Sequence, residues 1–222
     1  MQKYQEKLPH VYLVDDDESV RASICAVLNS SEITTVSCES AEEFLNVFNV
    51  NHPGCLVLDI RMSDMNGLDL LDKLNESGTL IPTIMISGHG DIHSAVRAMK
   101  AGAKDFIEKP FHGHALIEKI QKCIHMDMQD RQSNLYRMEF SSRLEQLTPR
   151  EREVLDMIIN AHSNKEIANI LGISPRTVEA HRNKCMLKLQ LDSIIDVVRE
   201  MASYYQSGHH QLYKSQKQNV LA

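Results

Sequence analysis

Residues 55–59, CLVLD, set the reading of the fold: four apolar residues run without a break into a single carboxylate. A short apolar run of this kind reads as a buried strand that delivers an acid at its carboxyl end. The same device stands at 11–17, VYLVDDD, where the run ends in Asp15, Asp16 and Asp17. Residues 81–86, IPTIMI, end at Ser87, and 104–107, KDFI, lead into Lys109-Pro110. The β-branched stretch from Ile33 to Val36 supplies one more strand. Helical spacing fills the gaps. Val20, Ile24, Val27 and Leu28 share one face, and Ser40 caps a helix with Glu43 at its capping-box position and Phe44, Leu45 and Phe48 on the apolar side. Gly67–Leu74, Ile92–Ala101 and about 113–125 complete the series.

Five strands alternating with five helices predict a doubly wound α/β fold, a five-stranded parallel sheet covered on both faces. Ligands of such sheets sit at the carboxyl ends of the strands. Those ends hold Asp15, Asp16, Asp59, Ser87 and Lys109. Clustered carboxylates repel unless a divalent cation neutralises them, and an all-oxygen set suits Mg²⁺. Mg²⁺ also offsets charge in phosphoryl transfer. Asp59, central in the sheet, is the candidate nucleophile, with Lys109 as counter-charge and Ser87 as hydroxyl donor to the phosphoryl oxygens. Solvated loop acids would account for any one of these residues, but not for the whole set.

With VDDDESV, LDIRMSDMNGLDLL and TIMISGHGDIHSAVRAMKAGAKDFIEKPF in order, residues 11–125 resemble the receiver family of two-component response regulators, and its FixJ-like subset in particular. The resemblance implies that Asp59 is the phospho-acceptor and that Asp15 and Asp16 organise Mg²⁺. Asp16 would be the more direct ligand, and the main-chain carbonyl of Arg61 would complete the protein's ligand set. Ser87 would move toward the phosphoryl group, Phe106 would be the aromatic switch that follows it, and the Lys109-Pro110 bond would be cis. Phosphorylation would alter the face running from about Ile92 to Phe106, through which receivers commonly dimerise. Two residues depart from the family pattern: Ser63 stands where Pro is usual, and His112-Gly113 follows Pro110-Phe111 where an acidic cap is commoner. His89, His93, His112 and His114 share no helical face and are read as loop and surface residues rather than metal ligands.

Charge divides the chain. Residues 1–128 carry 11 Lys and Arg against 19 Asp and Glu, a net −8, whereas 129–222 carry 13 against 11, a net +2. An acidic half followed by a mildly basic one points to two modules with different partners. No apolar stretch reaches membrane length and the start lacks a signal-peptide pattern, so a cytoplasmic location is expected. The five cysteines show neither close pairing nor metal-ligand spacing and read as small buried hydrophobes.

The second half has three helix starts in succession. Thr148-Pro149-Arg150-Glu151 opens a helix with Val154, Leu155, Ile158 and Ile159 inward; Ser163-Asn164-Lys165-Glu166 opens a short one that ends at Gly172; Ser174-Pro175 opens a third, with Val178, Cys185 and Leu189 inward. Two short helices across a tight Gly-containing turn make a helix-turn-helix, and Ser193–Met201 reads as a fourth helix. The third would enter the major groove, with Lys165, Arg176, Arg182, Lys184 and Lys188 toward phosphates.

LTPREREVL and SNKEIANILGISPRTVEAHRNKCMLKL resemble the LuxR-type four-helix DNA-binding domain over residues 144–205. That likeness puts Glu179, Ala180 and Asn183 at base edges and Lys165, Arg176, Arg182 and Lys188 at the DNA backbone, and makes His181 structural. Ala161-His162 replaces a customary Gly; if that Gly takes a positive φ, Ala161 is strained there.

The expected plan is therefore 1–125 receiver, 126–143 helical linker, 144–205 helix-turn-helix domain and 206–222 frayed tail. Met126, Tyr136, Met138 and Phe140 would be available to pack on a neighbouring domain or a second subunit. The expected function is a phosphorylation-controlled DNA-binding regulator and not an enzyme, beyond catalysing its own phosphorylation and dephosphorylation. Its implied partners are a sensor histidine kinase, double-stranded promoter DNA, RNA polymerase and, when phosphorylated, a second copy of itself, with transcription activation as the usual outcome. The rival reading is a phosphorylation-controlled protein-interaction module with little direct DNA binding.

Overall fold

The computed structural model describes residues 8–88 and 92–206. Within it the chain divides into two compact units, 1–132 and 133–222. His89 and the expected tail beyond Gln206 lie outside the described residues.

In the first unit, five strands alternate with helices: β1 (His10–Val14), α1 (Glu18–Asn29), β2 (Thr35–Cys38), α2 (Ala41–Val47), β3 (Gly54–Asp59), α3 (Gly67–Glu76), β4 (Thr83–Ser87), α4 (Ile92–Lys100), β5 (Asp105–Glu108) and α5 (Gly113–Glu145). All pairings are parallel, in the order β2-β1-β3-β4-β5. Because side chains alternate along a strand, each strand feeds two cores. Tyr12, Val14, Leu56 and Leu58 pack with Phe44, Leu70, Leu71 and Ala98 of α2, α3 and α4. Val11, Leu13, Cys55 and Val57 face Ile24 and Leu28 of α1 and Leu116, Ile120 and Cys123 of α5. The expected parallel, doubly covered sheet is present.

Local differences have local causes. β2 begins at Thr35 rather than Ile33, because Glu32 takes φ 56° and the Ile33 amide closes α1 by donating to the Leu28 carbonyl. β4 begins after Pro82. In α2, Phe44 is fully buried but Leu45 is 36% exposed, so the apolar side is narrower than its sequence suggests. The Glu43 carboxylate accepts from the Glu39 amide, while Ser40 accepts from Glu43.

Gly67 opens α3 against the end of β3. A Cβ there would lie 2.0 Å from the Asp59 carbonyl oxygen and 3.1 Å from Leu58. Only glycine allows this approach of helix to strand.

The helix that starts at Gly113 runs unbroken to Glu145, so the stretch 126–143 continues α5. Its first part is fastened within the first unit by Asp127, which is 5% exposed. The Asp127 carboxylate accepts from the Gly54 amide at 2.8 Å and from Arg131 Nε at 2.6 Å, and Arg131 donates to the Val50 carbonyl at 2.7 Å.

The second unit holds the end of α5 with α6 (Pro149–Ile159), α7 (Asn164–Leu171), α8 (Pro175–Leu189) and α9 (Ile194–Gln206). Capping boxes at Thr148/Glu151 and Ser163/Glu166 start α6 and α7, Ser174 caps α8, and Gly172 ends α7 at φ 65°. Val154, Ile158, Ile167, Ala168 and Val178 hold α6, α7 and α8 together. A second cluster joins Leu155, Cys185, Leu189, Val197 and Met201 to Phe140 and Leu144 of α5. Of the four residues singled out as packing candidates, Phe140 is buried, Met126 is partly buried in the first unit, Tyr136 is half exposed and Met138 is 70% exposed. Ala161 follows α6 at φ 62°, in the left-handed region where a Cβ is strained.

Candidate functional site

The strand order reverses between β1 and β3, which opens a crevice at their carboxyl ends. β1 ends beside Asp15 and β3 ends in Asp59. Both carboxyl groups are buried, at 1% and 5% exposure. Lys109, just beyond β5, bridges them: its ammonium donates to Asp15 Oδ2 at 2.6 Å and to Asp59 Oδ1 at 2.7 Å. The Lys109 amide donates to the Ser87 carbonyl at 2.7 Å, which fixes the lysine to the end of β4, and the Lys109-Pro110 peptide is cis.

The remaining oxygens are held by backbone. Asp59 Oδ2 accepts from the Arg61 amide at 2.8 Å, Asp15 Oδ1 accepts from the Asp17 amide, and Asp16 Oδ2 accepts from the Ser63 amide at 2.8 Å. Arg21 donates to the Asp15 carbonyl. The departure at Ser63 thus occupies a working position, since proline there would have no amide to offer Asp16. Ser87 is buried, and Phe106, paired with Met85 in the sheet register, packs half-buried against the α2–α4 core.

Burial raises the Asp59 carboxyl above its ordinary range, and the neighbouring Asp15 adds to this, against the opposing pull of Lys109. For Lys109, burial lowers the ammonium's pKa, but hydrogen bonds to Asp15 and Asp59 outweigh it and the net direction is up. Two buried carboxylates sharing one ammonium leave an excess of negative charge, with oxygen donors only, which fits Mg²⁺. Among the described residues no three His, Cys, Asp or Glu side chains form a ready metal cage. Asp15 and Asp59 are turned toward Lys109, and Mg²⁺ characteristically relies on one or two carboxylates plus water and phosphate oxygens.

The second candidate surface is α8. Arg176, Glu179, Ala180, Asn183, Lys184 and Leu187 are exposed, and their spacing puts them on one helical face opposite Val178, Cys185 and Leu189. Two of the basic residues assigned to phosphates have protein partners. Arg182 donates to Asn164 Oδ1 at 2.6 Å. Lys188 donates to the buried Glu151 carboxylate at 2.6 Å and to the Gln146 carbonyl at 3.0 Å. Lys165 is exposed on α7, and His181 is half-buried with Nδ1 lacking a hydrogen-bond partner. Glu151, buried on α6, was not singled out by sequence beyond its capping role; it carries the α6–α8 contact as well as the Thr148 cap. Asp127 was missed because a lone acid in a polar helical stretch gives no sign of burial.

Residues 11–121 match the response regulator receiver domain, and 145–201 match the luxR family of bacterial regulatory proteins. The chain is 41% identical over 194 residues to the transcriptional regulatory protein FixJ of Azorhizobium caulinodans, covering 87% of this chain and 92% of that one. It is 40% identical to the response regulator protein TodT of Pseudomonas putida, covering 85% and 83%. Among solved structures, the low-resolution structure of the response regulator StyR superposes with a TM-score of 0.79 at 38% identity, covering 88% of this chain and 99% of that one. Full-length FixJ from B. japonicum gives 0.56 at 34%, covering 90% and 98%.

Proposed function

Because the chain belongs to the FixJ/LuxR-family response regulators, a receiver domain followed by a DNA-binding helix-turn-helix domain, we propose that a sensor histidine kinase donates its phosphoryl group to Asp59 and that this controls promoter binding. The observation that carries the reading is the buried Asp59 carboxylate held 2.7 Å from Lys109 at the end of β3. In this reading Asp15, Asp16, Asp59 and the Arg61 carbonyl would hold Mg²⁺. When bound, the ion supplies charge neutralisation for the incoming phosphoryl oxygens. Asp59 attacks phosphorus through one carboxylate oxygen as the P–N bond to the kinase histidine breaks and the imidazole stays with the kinase, Lys109 pairs with a phosphoryl oxygen, and the Ser87 hydroxyl donates to another. Movement of Ser87 frees space for Phe106, and the packing of α4 and β5 shifts toward a second population. The receiver family performs this chemistry only on itself, so the chain is a regulator and not a general enzyme.

Ile92, Val96 and Met99 form an exposed apolar stripe on α4, at 80%, 47% and 50% exposure, which supports dimerisation through this face. Two linked DNA-binding domains bind a paired site far more tightly than one. On α8, Glu179, Ala180 and Asn183 read base edges, while Lys165, Arg176 and Arg182 contact the backbone. Lys188, engaged with Glu151, contributes mainly by fixing α8 on α6. The setting is cytoplasmic and the outcome activation through RNA polymerase. No helix among the described residues is long and apolar enough to cross a membrane. Incubation with a small phosphoryl donor and Mg²⁺ tests the core of the proposal: labelling is expected in the wild type and lost in Asp59→Asn. Labelling at the wild-type level in that variant would remove Asp59 from the role.

A further inference from the structure

The basic residues of α8 leave the helix on two sides. Arg176 and Lys184 stand on the exposed face with Asn183. Arg182 comes one turn after Val178 and one turn before Cys185, both buried. Its stem therefore starts on the packed side, where α7 lies against Val178, and the residue is half-buried. Its guanidinium is held at the first turn of α7, where Arg182 Nη1 donates to Asn164 Oδ1 at 2.6 Å. Ser163 and Glu166 already form the capping box of α7, so the Asn164 side chain is not needed as a cap. Among the described residues this is the hydrogen bond that the guanidinium makes, and the rest of its planar donor fork is open. We infer that Asn164 positions Arg182 for a DNA phosphate, holding the guanidinium in place without cancelling its charge.

The inference rests on reading Arg182 as a contact to the DNA backbone, and a contrast on the same helix supports it. Lys188 is also turned inward, but its partner is the buried Glu151 carboxylate at 2.6 Å, so its charge is neutralised within the protein. Arg182 has a neutral amide for a partner. A guanidinium only donates, so Asn164 must present its carbonyl oxygen, and one such bond fixes the plane of the fork. The full positive charge stays available to displace a counterion from DNA. An aspartate at 164 would keep the shape and the hydrogen bond but cancel that charge. A mere staple between α7 and α8 would gain from the change, whereas a phosphate contact would lose by it. Lys165, the next residue on α7, is exposed beside this pair and adds a second positive charge at the same helix end.

The test uses the full-length chain, treated with a small phosphoryl donor and Mg²⁺ and titrated with random-sequence duplex DNA at several salt concentrations. Thermal melting of each variant is recorded alongside. Arg182→Ala should lower affinity about tenfold and reduce the salt slope by about 1. Asn164→Asp should match both losses while melting no lower than the wild type. Asn164→Ala should weaken binding in the wild-type background and add nothing in the Arg182→Ala background. Wild-type protein that binds no DNA, or Arg182→Ala with wild-type affinity and slope, would overturn the backbone reading and the inference with it. If Arg182→Ala is impaired but Asn164→Asp binds as the wild type does, the inference alone falls. It also falls if the Asn164→Ala and Arg182→Ala losses are additive, or if the Asn164→Asp loss comes with a lowered melting temperature.

Discussion

Lys109 Nζ sits 2.7 Å from Asp59 Oδ1 while holding Asp15 at 2.6 Å, so one ammonium bridges two buried carboxylates at the ends of different strands. Lys109→Met should therefore lower stability by about 1–3 kcal/mol, because it leaves two buried acids without a counter-charge. Adding Asp59→Asn should recover part of that loss. Urea unfolding of the two single variants and the double variant gives the coupling, and strictly additive effects would contradict the shared site.

Ala161 stands at φ 62° after α6. An alanine in this region is strained by roughly 1–2 kcal/mol, and glycine's greater freedom in the unfolded chain offsets part of the relief. Ala161→Gly is expected to stabilise the protein by about 0.5–1 kcal/mol, measured by urea unfolding. A loss of stability would mean that the turn is not held left-handed.

Glu151 is buried against Lys188. Burial alone would raise its carboxyl, but hydrogen bonds from Lys188 and Thr148 prevail and the net direction is down. A carboxyl lowered on folding stabilises above its unfolded value of 4.5, and this contribution is lost as pH falls through the lower folded value. The stability difference between wild type and Glu151→Gln should shrink as pH is taken from 6 to 3. A difference that stays constant over this window would rule out the linkage. Lys188→Met should cost about 1–3 kcal/mol at neutral pH by stranding the buried carboxylate.

Arg176 and Asn183 share the exposed face of α8 but should fail differently on DNA. Arg176→Ala is expected to weaken binding to every sequence and reduce the salt slope by about 1. Asn183→Ala should lower affinity for the preferred site by about 1–3 kcal/mol and leave random DNA nearly unaffected. Binding isotherms at several salt concentrations separate the two. Equal losses on both kinds of DNA would place Asn183 at the backbone.

The apolar stripe of α4 supplies a last test. Val96→Asp should abolish dimerisation induced by a phosphoryl donor, read by light scattering, while labelling of Asp59 proceeds at the wild-type rate. Dimerisation that survives would place the interface elsewhere.

Strands β1, β3 and β4 were legible because each is a short apolar run with a polar stop, and Asp15, Asp59 and Ser87 stand at those stops. The helix starts of the second unit were equally legible, since Thr148, Ser163 and Ser174 act on amides only three residues away. What was not legible depends on contacts distant in sequence. Nothing near Lys188 shows that its ammonium is bound 37 positions away at Glu151, or that Asp127 reaches Gly54 across 73. Phe140 read as a linker residue because its partner Tyr204 stands at the far end of the second unit's sequence.

Gly67 has no chemistry of its own, yet its missing side chain is what lets α3 abut the Asp59 carbonyl. In a random mutagenesis screen for signalling-dead alleles, substitutions at this position should recur alongside those at the acceptor itself. Their signature would be low protein abundance rather than a folded, unresponsive chain. Steady-state protein level, not sequence position, would therefore tell a lost reaction from a lost fit.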